Sequence, residues 1–273
     1  MAPLNLSDLP DQAPEFDLQQ MLAAGVHFGH QVRKWHPAMA DWIYAEKEGV
    51  HIFDLVKTVR QLTIAYNYAY QLGADNKVLV MVATKRQAKD IVEQAAADSG
   101  AMFITSRWLG GTLTNWNQVK KSLQRMIDIE QGLVSGEYDH YTKFERNQLE
   151  KEQGRLERFF RGIKALSSLP DALFIVDPRT ESIAVKEAIK RDVPLIALID
   201  SNTDPRPIDI PIPANDDAMG SIEFIVQAVA AGYRAGKSDR PTGTAKSGPD
   251  NNSSASQTRP SAAAPVQAGS SDC

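Results

Sequence analysis

Four of the chain's five histidines, His27, His30, His36 and His51, fall within 25 residues. His27 and His30 have H-x-x-H spacing, which on a helix would bring two imidazoles within reach of one metal ion. Gly25 and Gly29 argue against a regular helix there, and neither a cysteine nor an acidic motif stands nearby, so no metal site is expected. The same stretch carries Phe28, Arg33, Lys34, Trp35 and Trp42. Rings interleaved with cations suit unpaired bases and phosphates: the rings stack, and guanidinium or ammonium groups neutralise the backbone. The competing reading is an aromatic cluster inside the core, and residue types alone leave both open.

A second cluster, residues 107–116, reads RWLGGTLTNW. Adjacent Gly110 and Gly111 allow close backbone approach or positive φ. Beside Trp108, the side chains of Arg107, Thr112, Thr114 and Asn115 could contact a phosphate chain. Basic residues continue as Lys120, Lys121 and Arg125. Lys85 and Arg86 follow an apolar run that ends at Ala83, where parallel sheets present ligand-binding loops.

The acidic candidates are Asp177, Asp200, Asp204, Asp216 and Asp217. Asp177 and Asp200 end apolar runs, where a magnesium-dependent hydrolase or transferase would place them. Structurally, the Asp-Pro pairs at 177–178 and 204–205 start turns, and Asp216 or Asp217 caps the last helix. No nucleophile, base and oxyanion set can be assembled around these acids, so the structural reading is preferred and no catalysis is expected. Residues 232–238 (GYRAGKS) imitate a phosphate loop, but three residues separate the glycines where four are needed, and the segment ends a helical pattern.

The elements that must position these residues alternate. Continuous apolar runs at 77–83, 172–176 and 195–199 suit strands buried on both faces. Helical periodicity predicts helices at 16–24, 54–72, 85–98, 180–190 and 217–233. Strand alternating with helix makes a Rossmann-like, three-layer α/β fold around a parallel sheet. Residues 117–164 break the rhythm, with ten Lys and Arg against eight Asp and Glu. They are expected to form an antiparallel helical hairpin, turning near 132–141, with its own narrow apolar seam and a wide solvated face. The expected organisation is an extended acidic arm at 1–14, an α/β domain at 15–116 and 165–236, the hairpin projecting from it, and a disordered tail at 237–273 rich in Ser, Ala, Gly and Pro.

Composition sets outer limits. A chain of 273 residues with 42% hydrophobic and 23% charged residues can bury a core, which excludes collagen-like and wholly disordered classes. Its one cysteine, Cys273, permits no intramolecular disulfide, as in a reducing compartment. A net charge of -4 disfavours nucleic-acid binding through bulk positive charge and confines it to local patches. No window approaches a membrane span, and the first twenty residues hold four acids and no Lys or Arg, the reverse of a secretory leader. The expected location is cytoplasmic.

Seven segments together resemble the bacterial-type ribosomal protein S-two family. They are 24–31 (AGVHFGHQ) with 35–39 (WHPAM), 50–55 (VHIFDL), 83–88 (ATKRQA), 107–116 (RWLGGTLTNW), 162–164 (GIK), 170–173 (PDAL) and 212–218 (IPANDDA). The resemblance covers about residues 16–236. It implies a Rossmann-like domain with a protruding coiled coil, bound to small-subunit ribosomal RNA between head and body. It further implies no enzymatic activity, no cofactor, and contacts with neighbouring small-subunit proteins, including the multi-OB-fold protein that captures messenger RNA. Relatives usually read Trp-Asn-Pro-Lys-Met where this chain has His36 and Ala38, and often carry a basic pair where it has Glu46 and Glu48, so RNA contacts at Ala38 and Glu46 are not carried over.

Overall fold

A computed structural model describes residues 9–240. The chain begins with α1 (Leu18–Ala23) and continues through β1 (Phe28–Gln31), β2 (Ile43–Lys47), β3 (Val50–Phe53) and the long α2 (Leu55–Ala74). Next come β4 (Leu79–Val82), α3 (Lys89–Ser99), β5 (Met102–Ile104), α4 (Trp116–Ser135) and α5 (Lys143–Phe160). The last elements are β6 (Ala172–Val176), α6 (Ser182–Lys190), β7 (Leu195–Ile199), β8 (Ile210–Pro213) and α7 (Met219–Ser238).

Five of these strands form one parallel sheet in the order β5-β4-β6-β7-β8. Relative to chain order this is 2-1-3-4-5, the flavodoxin-like doubly wound arrangement, and not the 3-2-1-4-5-6 order of a dinucleotide-binding Rossmann sheet. Alternate strand residues feed two cores. Leu79, Met81, Phe174 and Leu198 pack with α2, α3 and α7, whereas Val80, Val82, Ile175 and Ile199 pack with α4 and α6. The result is three layers. Pro211 and Pro213 are tolerated in β8 because that strand lies at the sheet's edge, bonded only to β7. A second, antiparallel sheet of order β1-β3-β2, which no apolar run announces, carries the histidine-rich segment.

Helix α7 crosses α2 at backbone contact. A Cβ on Gly236 would lie 1.9 Å from Tyr70 O, one on Gly73 2.3 Å from Tyr233 O, and one on Gly232 2.6 Å from Tyr66 O. The glycines that imitate a phosphate loop therefore serve helix packing. α7 also reaches Ser238, past the expected start of the tail, and Lys237 Nζ donates to Gly100 O at 2.9 Å at the end of α3. The rest of the expected tail, 241–273, and residues 1–8 of the acidic arm lie outside the described residues. From residue 9 the arm has no helix or strand, and it is anchored: Leu9 packs on the core and Gln12 N donates to Asn67 Oδ1 at 3.0 Å.

Both helices of the charged pair contribute to a core that they share with the parallel sheet. α4 ends at Gly136, with φ 77°, and α5 begins in a capping box of Thr142 and Glu145. The apolar stripe of α4, Val119, Leu123 and Met126, joins one core with the sheet's Val80, Val82 and Ile175 and with Leu156, Phe159 and Phe160 of α5. Only Phe160 is buried along α5, and Phe144 is 70% exposed. Arg125 pairs with Glu152 and Glu130 with Lys164, so moving outward along α4 moves the partner inward past the end of α5, which is not one antiparallel register. Among the described residues no helix is long and apolar enough to cross a membrane.

Candidate nucleic-acid interface

Because all five strands of the main sheet run the same way, the segments following β4, β5, β6 and β7 emerge on one edge. Lys85 and Arg86 follow β4, Arg107 follows β5, and Asp177 and Asp200 follow β6 and β7. The small sheet joins this edge through its first strand: His30 N donates to Asp200 Oδ1 at 3.0 Å and to Ser201 Oγ at 2.9 Å, and His36 N donates to Ser201 O. Sequence-distant cationic and aromatic residues are thereby brought to one side.

Their availability differs. Phe28 (46% exposed) and Trp35 (39% exposed) present ring surface, and Arg33, Lys34, Arg86, Arg107, Asn115, Lys120 and Lys121 are exposed. The His27 ring leans on Phe28 with centroids 4.0 Å apart, and burial pushes its imidazole below its ordinary pKa. Trp35 leans on buried His51 at 5.4 Å. His27 and His30 therefore do not share a site. One face of this cluster is packed and the other is open.

The Gly-Gly cluster requires correction. Trp108 is 4% exposed, so it offers no ring to a base; its Nε1–H donates to Glu187 Oε1 at 3.3 Å. The loop does form an anion-binding nest, but the anion is internal. Gly111 N, Leu113 N, Thr114 N and Thr114 Oγ1 all donate to the Glu187 carboxylate, at 2.6, 2.9, 3.1 and 3.2 Å. Thr112 is buried and donates to Leu109 O. Burial alone would raise the Glu187 carboxyl, but the donors from Gly111, Thr114, Leu113 and Trp108 outweigh it and hold the pKa below its ordinary value. Thr114 is thus spent inside the protein. Arg125, though exposed, is engaged by Glu152 through Nε and Nη2.

Lys85 is also turned inward. Its ammonium lies 3.0 Å from Asp177 Oδ2, 2.7 Å from Asp216 Oδ1 and 2.9 Å from Asp217 Oδ1. It plugs the crevice between β4 and β6, where the chain switches direction and open α/β sheets bind their ligands. Burial would lower its pKa, and the Asp216, Asp217 and Asp177 carboxylates more than reverse that. Burial, then the neighbouring charges of Asp200 and Asp177, push Asp216 up to about 7 against the pull of Lys85. Thr84 Oγ1 donates to Glu181 beside this cluster.

Other acids behave less simply than turn starters and caps. Asp177, at φ 60°, accepts from Thr180 N and Oγ1, and Asp204 accepts from Arg206 N, both as turn residues. Asp200 instead anchors His30, Ser201 N and Asp216 N. Neither Asp216 nor Asp217 caps α7; Asn215 Oδ1 takes the N–H groups of Asp217 and Ala218. Asp200 and Asp216 gave no sequence signal of this role, because their partners are far away in the chain.

The buried polar arrangement therefore fixes a scaffold, and what it leaves exposed is a rim of cations and rings. The sequence profile of a family described as Ribosomal protein S2 matches residues 21–236, which includes the small sheet, the parallel sheet and the pair α4 and α5. A match over most of the chain, on a scaffold whose edge is built in this way, places it: the chain belongs to the ribosomal protein S2 family, proteins of the small ribosomal subunit.

Proposed function

We propose that the chain is a structural component of the small subunit that docks on small-subunit ribosomal RNA through the carboxyl edge of its parallel sheet. The observation that carries this reading is the exposure of Phe28, Arg33, Lys34, Trp35, Arg86 and Arg107 along that edge. Lys120 and Lys121 continue the basic track on α4, and Asn115 adds an exposed amide. Rings and cations so placed suit splayed bases and the phosphates between them, in a protein whose overall charge of -4 supplies no general attraction. From the resemblance, we place it between head and body, in the cytoplasm, beside other small-subunit proteins that include the multi-OB-fold messenger-capturing protein. Exposed Val134 and Phe144, near the turn between α4 and α5, suit a protein neighbour, and α5 is the part of the expected coiled coil that projects.

The magnesium-dependent enzyme reading has less support, because Asp177 is engaged by Lys85 and Thr180, and Asp200 by His30, Ser201 and Asp216. A sucrose gradient tests the proposal. The full chain should sediment with the small subunit at low salt and be stripped by high salt, because each phosphate contact releases counterions. A chain that stays at the top of the gradient at every salt concentration refutes it.

A further inference from the structure

Trp42, which the sequence groups with Phe28 and Trp35, belongs to a different surface. It ends the short 3-10 helix Pro37–Trp42 and lines, with Asp41, Lys57, Arg60, Gln61 and Ile64, a cleft of about 290 Å³. Two bonds fix the end of that 3-10 helix on the start of α2: Asp54 N donates to Trp42 O at 3.0 Å, and Lys57 Nζ donates to Asp41 O. Lys57, Arg60, Gln61 and Ile64 recur at the spacing of one helix face and form the opposite wall. Thr58 Oγ1 donates to Pro213 O at 2.7 Å, which ties the same stretch of α2 to the carboxyl end of β8. The cleft is thus held in shape by contacts behind it.

The groups around it are unspent. Trp42 and Ile64 are half-buried, each packed against the core. No described residue makes a hydrogen bond or ion pair with the Asp41 carboxylate, the Trp42 Nε1–H, the Arg60 guanidinium or the Gln61 amide. Asp41 and Arg60 carry opposite charges in one cleft without closing on each other, so both stay open to a ligand. Apolar and aromatic walls with a few convergent polar groups make a small-ligand site, and the volume is near the lower end of the roughly 300 to 1,000 Å³ such sites occupy.

We propose that this cleft binds a guanine nucleotide: the base stacks on Trp42, the Asp41 carboxylate accepts from N1–H and N2–H, and Arg60 and Lys57 meet the phosphate. The carboxylate selects the base. Guanine alone sets two donors side by side on its Watson–Crick edge, matching the two carboxylate oxygens, whereas adenine and cytosine set one donor beside a lone pair that a carboxylate repels. Gln61 supplies an amide N–H for O6. The nucleotide is a splayed guanosine of RNA or free GMP; the first source rests on the RNA-binding reading above, and the second does not.

The test is fluorescence anisotropy of the full chain with end-labelled pentaribonucleotides UUGUU, UUAUU and UUCUU, with GMP as competitor. UUGUU should bind at least about tenfold more tightly than the other two, the factor that charge-assisted bonds to a carboxylate supply. Asp41→Asn should abolish that preference, and Trp42→Ala should weaken UUGUU at least about fivefold through the lost stack. Arg60→Ala should weaken all three alike and flatten the salt dependence. Asp41→Asn and Arg60→Ala alter exposed side chains, so they decide the matter if circular dichroism shows Trp42→Ala unfolded. The triple variant Arg33→Ala, Lys34→Ala, Trp35→Ala touches no residue of the cleft and should keep the guanine preference, which separates a failure of this site from a failure of the rim. Displacement of UUGUU by an equal concentration of GMP identifies the free nucleotide as the ligand, and resistance to it identifies RNA. Equal binding of the three oligonucleotides, or a guanine preference that survives Asp41→Asn, overturns the assignment.

Discussion

Replacing Glu187 by Ala removes the acceptor around which the Trp108–Thr114 loop is folded, and the cost can be worked from its donors. Five groups donate to that carboxylate, and two of the bonds, from Trp108 Nε1 and Leu113 N, are buried. Each buried donor left unsatisfied costs about 1 to 3 kcal/mol, while Gly111 and Thr114 recover most of their loss from water. The sum is roughly 2 to 6 kcal/mol, which for a chain of this size corresponds to a fall in Tm of very roughly 5 to 20 °C. The loss should depend on pH. Because the folded carboxyl is held below its ordinary 4.5, its stabilisation is fully present above that value and is lost as pH falls through the folded pKa. The gap between wild type and Glu187→Ala should therefore be constant near neutrality and narrow below about pH 4.5. Urea unfolding followed by circular dichroism at pH 7 and at pH 3.5 measures both. A difference under about 1 kcal/mol at pH 7, or one that widens in acid, would refute the claim that this carboxylate organises the loop.

Further outcomes follow from the same geometry. Gly236→Ala drives a methyl into Tyr70 O and should destabilise the α2–α7 crossing by about 1 to 3 kcal/mol or more, read as a lowered midpoint in urea. Replacing 117–164 by a short Gly-Ser linker should unfold the protein, because Val119, Leu123 and Met126 each contribute about 1.5 to 3 kcal/mol to a margin of about 5 to 15; a cooperative melt of the shortened chain would show that α4 is dispensable. Lys85→Met leaves Asp177, Asp216 and Asp217 without their ammonium and should cost about 3 to 5 kcal/mol, part of which returns when Asp216→Asn is added. Unchanged stability of Lys85→Met would mean that the cluster is already balanced.

What could be read from the sequence was what depends on neighbours in the chain. β6 and β7 coincide end to end with their apolar runs, because a strand buried on both faces leaves a continuous signature. β5 is only three residues long and β8 reads Ile-Pro-Ile-Pro, so neither resembles such a run. The small sheet was illegible for a related reason: β1 reads Phe-Gly-His-Gln, and two short 3-10 helices and β2 separate it from its partner β3. The helical pair was legible as helices, but not that its apolar stripe shares a core with the sheet, since a stripe does not name all the surfaces it meets. The proposed interface was legible as residue types and not as exposure. Phe28 and Trp35 are open while Trp108 is buried in the sheet's core, where its Nε1–H meets Glu187, 79 residues away. The convergence of His30 with Asp200 spans 170 residues and leaves no local pattern.

Competitive assembly into small subunits tests the central claim most directly. Wild type is mixed with the triple variant Arg33→Ala, Lys34→Ala, Trp35→Ala, or with the control Lys151→Ala, Arg155→Ala, two cations on α5 outside the proposed surface. Subunits purified on a gradient are then scored for which chain they hold. One lost stack is worth about 1 to 3 kcal/mol, and two lost phosphate contacts add a salt-dependent term, so the triple variant should be outcompeted at least tenfold, by a margin that changes with salt, while the control matches wild type. Equal occupancy of the triple variant and wild type would contradict the assignment of the sheet's carboxyl edge as the RNA-binding surface.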